Sequence, residues 1–134
     1  MNYLLDVNAL VALGFLDHTF HDRVTAWVHQ VSLAESSAFL TCPITELGFV
    51  RVLSLAPQYG FTVIQAKTLL IKLKKSKAAR FEFIADNHDI SRLPPWATSG
   101  KQTTDGHLVE LAKANGAILA TLDEKIRGSF LIPR

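Results

Sequence analysis

The chain carries a single cysteine, Cys42, in 134 residues. That excludes an intrachain disulfide framework and a thiolate metal cluster, and it fits a reducing cytoplasm. His18, His21, His29 and His88 show no ligand-like spacing, so a zinc centre is not expected. Long apolar runs are missing: nothing approaches the ~18–20 residues that a membrane helix needs. The N-terminus lacks a basic region followed by an apolar stretch, so neither a secretory leader nor a membrane partner is expected. No glycine-rich phosphate loop appears, which argues against a nucleotide hydrolase. No Ser/His/Asp or Cys/His arrangement suggests covalent catalysis. Net charge is slight, at +2 with a pI of about 8.8. This permits a nucleic-acid partner without demanding one. Internal repeats and low-complexity tracts are absent.

What the chain does have is apolar substance: 49% of residues are hydrophobic and 19% charged, with mean hydropathy +0.20. Residues 1–134 therefore read as one well-buried domain. "NYLL" (Asn2–Leu5) suits a buried strand, followed by a helix that Asp6 or Asn8 caps and that runs to about Leu16. Val24, Trp27, Val28 and Val31 recur at helical spacing within His21–Leu33. "AFLTC" (Ala38–Cys42) is the next strand, and Pro43 opens a helix to about Leu55. A helix is predicted over Phe61–Lys77, a strand over Arg80–Ile84, and a loop with a short helical turn over Asp86–Gln102. Thr103 or Thr104 should cap a helix to Asn115, stopped by Gly116. "AILAT" (Ala117–Thr121) reads as a strand, Asp123–Arg127 as a turn and "SFLI" as an edge strand. Strands alternating with helices imply an α/β fold with a mostly parallel sheet and helices on both faces.

Four carboxylates stand out against this apolar background. Asp6 ends the first strand and Asp123 lies just past "AILAT". Glu46 and Asp105 sit in the first turns of their helices, each followed at i+3, i+4 and i+7 by apolar residues: Phe49, Val50 and Leu53, and Leu108, Val109 and Ala112. Both acids thus occupy core-facing stripes. In a parallel sheet the carboxyl ends of strands share one rim with the following helix starts, and ligands bind there. Any one of these acids is explained by helix capping or the helix dipole. Four together, with no cation placed among them, point to a divalent ion, and all-oxygen ligation suits Mg²⁺ or Mn²⁺.

The ordered set "LLDVNAL", "ITELGFVRV" and "TTDGHLVELAKANGAILATLDEKI" resembles the PIN domain, and more narrowly the toxin ribonucleases of bacterial VapBC toxin–antitoxin pairs. The resemblance spans essentially the whole chain. It implies a compact three-layer α/β/α fold and a Mg²⁺- or Mn²⁺-dependent endoribonuclease that hydrolyses RNA phosphodiester bonds. It makes Asp6, Glu46, Asp105 and Asp123 the catalytic and metal-holding acids, with Asn8 and Thr121 as supporting residues. It also implies a homodimer and a cognate antitoxin, with operator DNA engaged only through that antitoxin.

Other residues remain open at this point. Arg51, five positions after Glu46, is a substrate or structural residue. "KLKKSKAAR" (Lys72–Arg80) is a solvated helix face or a phosphate grip. His107 should point away from the acids, and Trp96 is core, interface or base-stacking. Two rivals stand beside the nuclease: a PIN-like module that only binds RNA or protein, and a Mg²⁺-binding receiver domain. A receiver would need an Asp ending a middle strand and a Lys ending a late one; "AFLTC" ends in no Asp, and "AILAT" is followed by an acid.

Overall fold

Leu4 and Leu5 are both fully buried, yet they belong to different halves of the core. The strand pleat sends them to opposite sides of a sheet that is covered on both faces. The computed structural model describes residues 1–34 and 36–134. Strands β1 (Asn2–Leu5), β2 (Phe39–Thr41), β3 (Phe81–Phe83), β4 (Ala117–Thr121) and β5 (Phe130–Leu131) form one sheet in the order β3-β2-β1-β4-β5. Every pairing is parallel; Leu4 stands between Leu40 and Leu119.

Among the described residues, five α-helices complete the fold: α1 (Val7–Gly14), α2 (His21–Ser32), α3 (Pro43–Leu55), α4 (Val63–Lys74) and α5 (Thr103–Ala114). Helices α1 to α4 bury Leu10, Val24, Trp27, Phe49, Leu53 and Leu70 against the face carrying Leu5, Phe39 and Ala120. Helix α5 buries Leu108, Leu111 and Ala112 against the face carrying Leu4, Leu40 and Leu119. The result is the expected three-layer α/β/α arrangement. None of the described helices is long and apolar enough to cross a membrane.

The topology places the site. From β1 the chain moves outward through β2 to β3, then returns through α5 to set β4 on the other side of β1. The sheet order therefore reverses between β1 and β4, where an open α/β sheet leaves a crevice at its carboxyl edge. Asp6 follows β1 and Asp123 follows β4 by two residues, so both stand beside that crevice.

A close helix contact sets the neighbouring acid. A Cβ added to Gly48 would meet Val7 Cγ2 at 2.5 Å. Only glycine lets α3 come this close to the start of α1. Val7 adjoins Asp6 and Gly48 lies two residues past Glu46, so this contact fixes how the two helix starts face each other.

Several boundaries differ from the sequence reading, each for a local reason. Helix α1 stops at Gly14 rather than Leu16, because Phe15 turns extended and packs its ring edge-to-face with Tyr59 and Phe61, at centroid distances of 4.8 and 6.0 Å. Helix α4 starts at Val63, not Phe61, since the Thr62 hydroxyl caps Gln65 N while Gln65 returns a bond to Thr62 N. It ends at Lys74 rather than Lys77. Neither Thr103 nor Thr104 caps α5: a 3₁₀ turn at Gly100–Gln102 leads straight into it, with Ser99 and Gln102 bonded to each other at that turn's start. A second 3₁₀ turn spans Ile90–Arg92. Asn115 then ends α5 and Gly116 takes φ +66°, the left-handed conformation that glycine adopts without penalty.

Candidate active site

Asp6 has two jobs. Its Oδ1 accepts from Val7 N at 2.8 Å, capping α1, and its Oδ2 accepts from Thr121 Oγ1 at 2.7 Å. Only 7% of the residue is exposed. Burial pushes its carboxyl above the ordinary range, the bonds from Thr121 and Val7 pull it back, and the charge of Asp123 pushes it up again.

The fully buried Thr121 hydroxyl is the hub of this corner. While donating to Asp6 it accepts from Asp123 N at 3.1 Å and from Asn8 Nδ2 at 3.2 Å. Asn8 Oδ1 in turn accepts from Leu122 N at 3.1 Å. The first turn of α1 is thus tied to the end of β4 by side chains that leave the outer carboxylate free. Asp123 is exposed and accepts only from the nearby Lys125 N, at 2.9 Å. Asp105 enters from the other layer, in the first turn of α5. Its carboxyl is also raised, by burial first and then by the charges of Asp6 and Asp123. Asp6, Asp105 and Asp123 line one cleft of about 360 Å³ together with Asn8, His18 and Tyr59, and no lysine or arginine lines it.

Glu46 does not join them. It sits in the first turn of α3, above β2, and its Oε2 accepts from Thr41 Oγ1 at 2.6 Å and from Lys74 Nζ at 2.5 Å. Glu46 and Lys74 line a neighbouring depression between α3 and α4, with Leu47, Val63, Ile71 and Phe83. This corrects the sequence reading, in which all four acids shared one cation-free crevice. A cation is present, brought from the end of α4 by a tertiary contact that the 28-residue separation hides. Among the described residues, no three His, Cys, Asp or Glu side chains converge to hold one ion as they stand.

The remaining candidates are placed as follows. Arg51 is exposed, lines neither depression, and makes no ion pair among the described residues. Lys74 is the one member of "KLKKSKAAR" that meets an acid of the predicted set. His107 faces away from the cleft, with Nε2 2.6 Å from Asp86 Oδ2. Asp86 is held below its ordinary range: burial pushes it up, but the bonds from His107 and from His88 N outweigh that. The pair fastens the start of the 86–102 segment to α5, and Trp96 packs on the same core half. His18 was passed over because its spacing to the acids carries no signal, yet the loop after α1 brings it to the acid cleft. Its Nδ1 accepts from Phe20 N at 3.0 Å, and burial followed by the charge of His21 lowers its pKa.

The sequence model of the PIN domain matches residues 3–128. The chain belongs to the PIN domain family. This PIN domain is 37% identical over 126 residues to Ribonuclease VapC38 of Mycobacterium tuberculosis (strain ATCC 25618 / H37Rv), covering 90% of the chain and 84% of that relative. It is 36% identical over 135 residues to Ribonuclease VapC44 of Mycobacterium tuberculosis (strain CDC 1551 / Oshkosh), covering 94% and 89%. Its fold matches the crystal structure of VapBC2 from Rickettsia felis bound to a DNA fragment from their promoter, with TM-score 0.63 at 18% identity over 98% of this chain and 97% of that one. Family membership removes the receiver-domain alternative.

Proposed function

We propose that this PIN domain is a divalent-metal-dependent endoribonuclease and the toxin of a toxin–antitoxin pair. The observation that carries the reading is the shared cleft of Asp6, Asp105 and Asp123 at the β1/β4 switch point, with two of the carboxyls pushed up and no cation lining it. The relatives' names, Ribonuclease VapC38 and VapC44, support the substrate class.

The donor chemistry fits a hard ion. All three charged groups are carboxylates, and their mutual repulsion is uncompensated. Asp6, Asp105 and Asp123 would hold the ion, with Glu46 as the fourth acid. A bound Mg²⁺ or Mn²⁺ supplies acidification of a water and charge neutralisation at the phosphate. Thr121 and Val7 N hold the Asp6 carboxylate in one orientation. Asn8 ties the β4 end to α1, which fixes the backbone that leads into Asp123. With Nδ1 accepting a backbone bond, neutral His18 carries its proton on Nε2, a donor suited to a phosphate oxygen.

The antitoxin and homodimer follow from the family resemblance. Exposed Leu47, Val63, Ile64, Ile71 and Phe83 on α3, α4 and β3 are an apolar surface of the kind that protein partners cover. The experiment is expression in a bacterial host, with RNA cleavage by the purified protein measured alongside. Wild type should arrest growth and cut RNA internally. Asp105→Asn should do neither while keeping its fold. Harmless expression of active, soluble wild type would leave a nuclease without the toxin role; growth arrest by the Asn variant would remove the nuclease.

A further inference from the structure

The Lys74–Glu46 pair joins the end of α4 to the start of α3, beside an acid cleft that holds no cation of its own. Glu46 Oε2 is doubly engaged, by Lys74 Nζ at 2.5 Å and by Thr41 Oγ1 at 2.6 Å. Lys74 Nζ also lies 5.4 Å from the centre of the Phe83 ring, a cation–π contact that holds the ammonium beside Glu46. The two side chains are 27% and 24% exposed, neither sealed off nor free in solvent. Glu46 lines the Lys74 depression and is absent from the lining of the cleft that Asp6, Asp105 and Asp123 share.

We propose that Lys74 is a positioning residue that holds Glu46 out of the acid cleft, an internal cation that a divalent ion must displace to gain its fourth carboxylate. This deepens the metal-dependent reading above and rests on it. The charges give the logic. Three carboxylates attract a divalent ion, and the fourth is already neutralised by a tethered monovalent one. A pair this exposed is weak, so it tunes metal affinity without forbidding binding. Lys74 thereby sets the metal concentration at which the full acid set assembles. Gripping an RNA phosphate is the other use of this lysine; its commitment to Glu46 favours the gate.

The test is Mn²⁺ binding without RNA, followed by calorimetry and by thermal shift on the intact protein. Lys74→Met keeps an unbranched side chain at this position and removes the charge. It should lower the half-saturating Mn²⁺ about 5-fold, equivalent to about 1 kcal/mol. Lys74→Arg should restore the wild-type value. Lys75→Met removes the same charge from the exposed neighbouring position and should change binding less than about 2-fold, which separates a specific contact from net charge. In the Lys74→Met background Glu46→Gln should cost more Mn²⁺ affinity than it does in wild type. Equal or weaker Mn²⁺ binding by a folded Lys74→Met overturns the gate, and weaker RNA binding at unchanged Mn²⁺ affinity overturns it in favour of a phosphate contact. If wild type and every variant ignore Mn²⁺, the metal-dependent reading itself fails, an outcome distinct from a wild type and Lys74→Met that bind equally.

Discussion

Thr121 Oγ1 donates to Asp6 Oδ2 at 2.7 Å, tying together two residues that stand 115 positions apart in the chain. The contact closes β1 onto β4 at the point where the sheet order reverses. It also pulls down the pKa of a carboxyl that burial pushes up. Thr121→Val keeps the shape and removes the donor. It leaves the Asp6 carboxylate, Asn8 Nδ2 and Asp123 N each short of a partner. Urea unfolding at neutral pH should show a loss of about 2 kcal/mol, in the range for bonds to charged groups. Cleavage should fall about 10- to 100-fold, as for residues that orient metal-holding groups.

Asp6 itself trades stability for function. Its folded carboxyl is raised above the unfolded value, so the folded state binds more protons in that window. Stability therefore falls as pH rises from the ordinary carboxylate range, about 4, through the raised folded value, and the penalty is complete above it. Asp6→Asn removes the penalty and still caps α1, because asparagine caps as well as aspartate. In EDTA at pH 7 the variant should be about 0.5–2 kcal/mol more stable than wild type, and the two should converge as the pH falls towards 4. Added Mn²⁺ should raise the melting temperature of wild type more than that of the variant. A metal-free variant that melts below wild type would make Asp6 a plain cap.

The Val7–Gly48 contact gives a prediction about the scaffold. Gly48→Ala gains about 1 kcal/mol of helix propensity but forces a Cβ to 2.5 Å from Val7 Cγ2. Overpacking of this kind costs about 1–3 kcal/mol, so a net loss of about 1 kcal/mol is expected. Val7→Ala in the same chain should recover part of it. Simple additivity of the two changes in a double-mutant cycle would show that the helices do not meet there.

Asp86 behaves oppositely to Asp6. Its folded pKa is depressed, so its contribution is present above the unfolded value near 4 and lost as pH falls through the lower folded value. Asp86→Asn should loosen the 86–102 segment at neutral pH, read as faster amide exchange over those residues with the sheet still protected. Unchanged exchange would mean that Pro94 and Trp96 hold the segment by packing alone.

Much of the fold was legible because its signals are local. Pro43 at a helix start and the short apolar run "AILAT" after the Gly116 stop placed α3 and β4 at the observed residues. The same kind of signal was present but unread at two other places. "TVIQ" (Thr62–Gln65) and "SGKQ" (Ser99–Gln102) each carry a hydroxyl followed three residues later by glutamine; the first forms a reciprocal cap, and in the second Gln102 Oε1 accepts from Ser99 N and Oγ. The acids were found because each sits at a strand end or on a core-facing helical stripe. What escaped were tertiary pairs between distant positions: Lys74 with Glu46, His107 with Asp86, and His18 at the acid cleft. Helical spacing says which way a side chain faces, and it says nothing about which helix end comes to meet it.

The acid cleft is proposed to work only by holding a divalent ion. The most direct measurement is cleavage of a defined RNA by homogeneous protein in excess EDTA, then after Mn²⁺ or Mg²⁺ is restored, with Asp105→Asn beside it. Cleavage should be lost in EDTA and recover with the metal, and the variant should be reduced at least about 100-fold, as severe as the largest effects of removing metal-supporting groups. Undiminished cleavage in EDTA, or a variant that cuts as fast as wild type with the metal present, would contradict it.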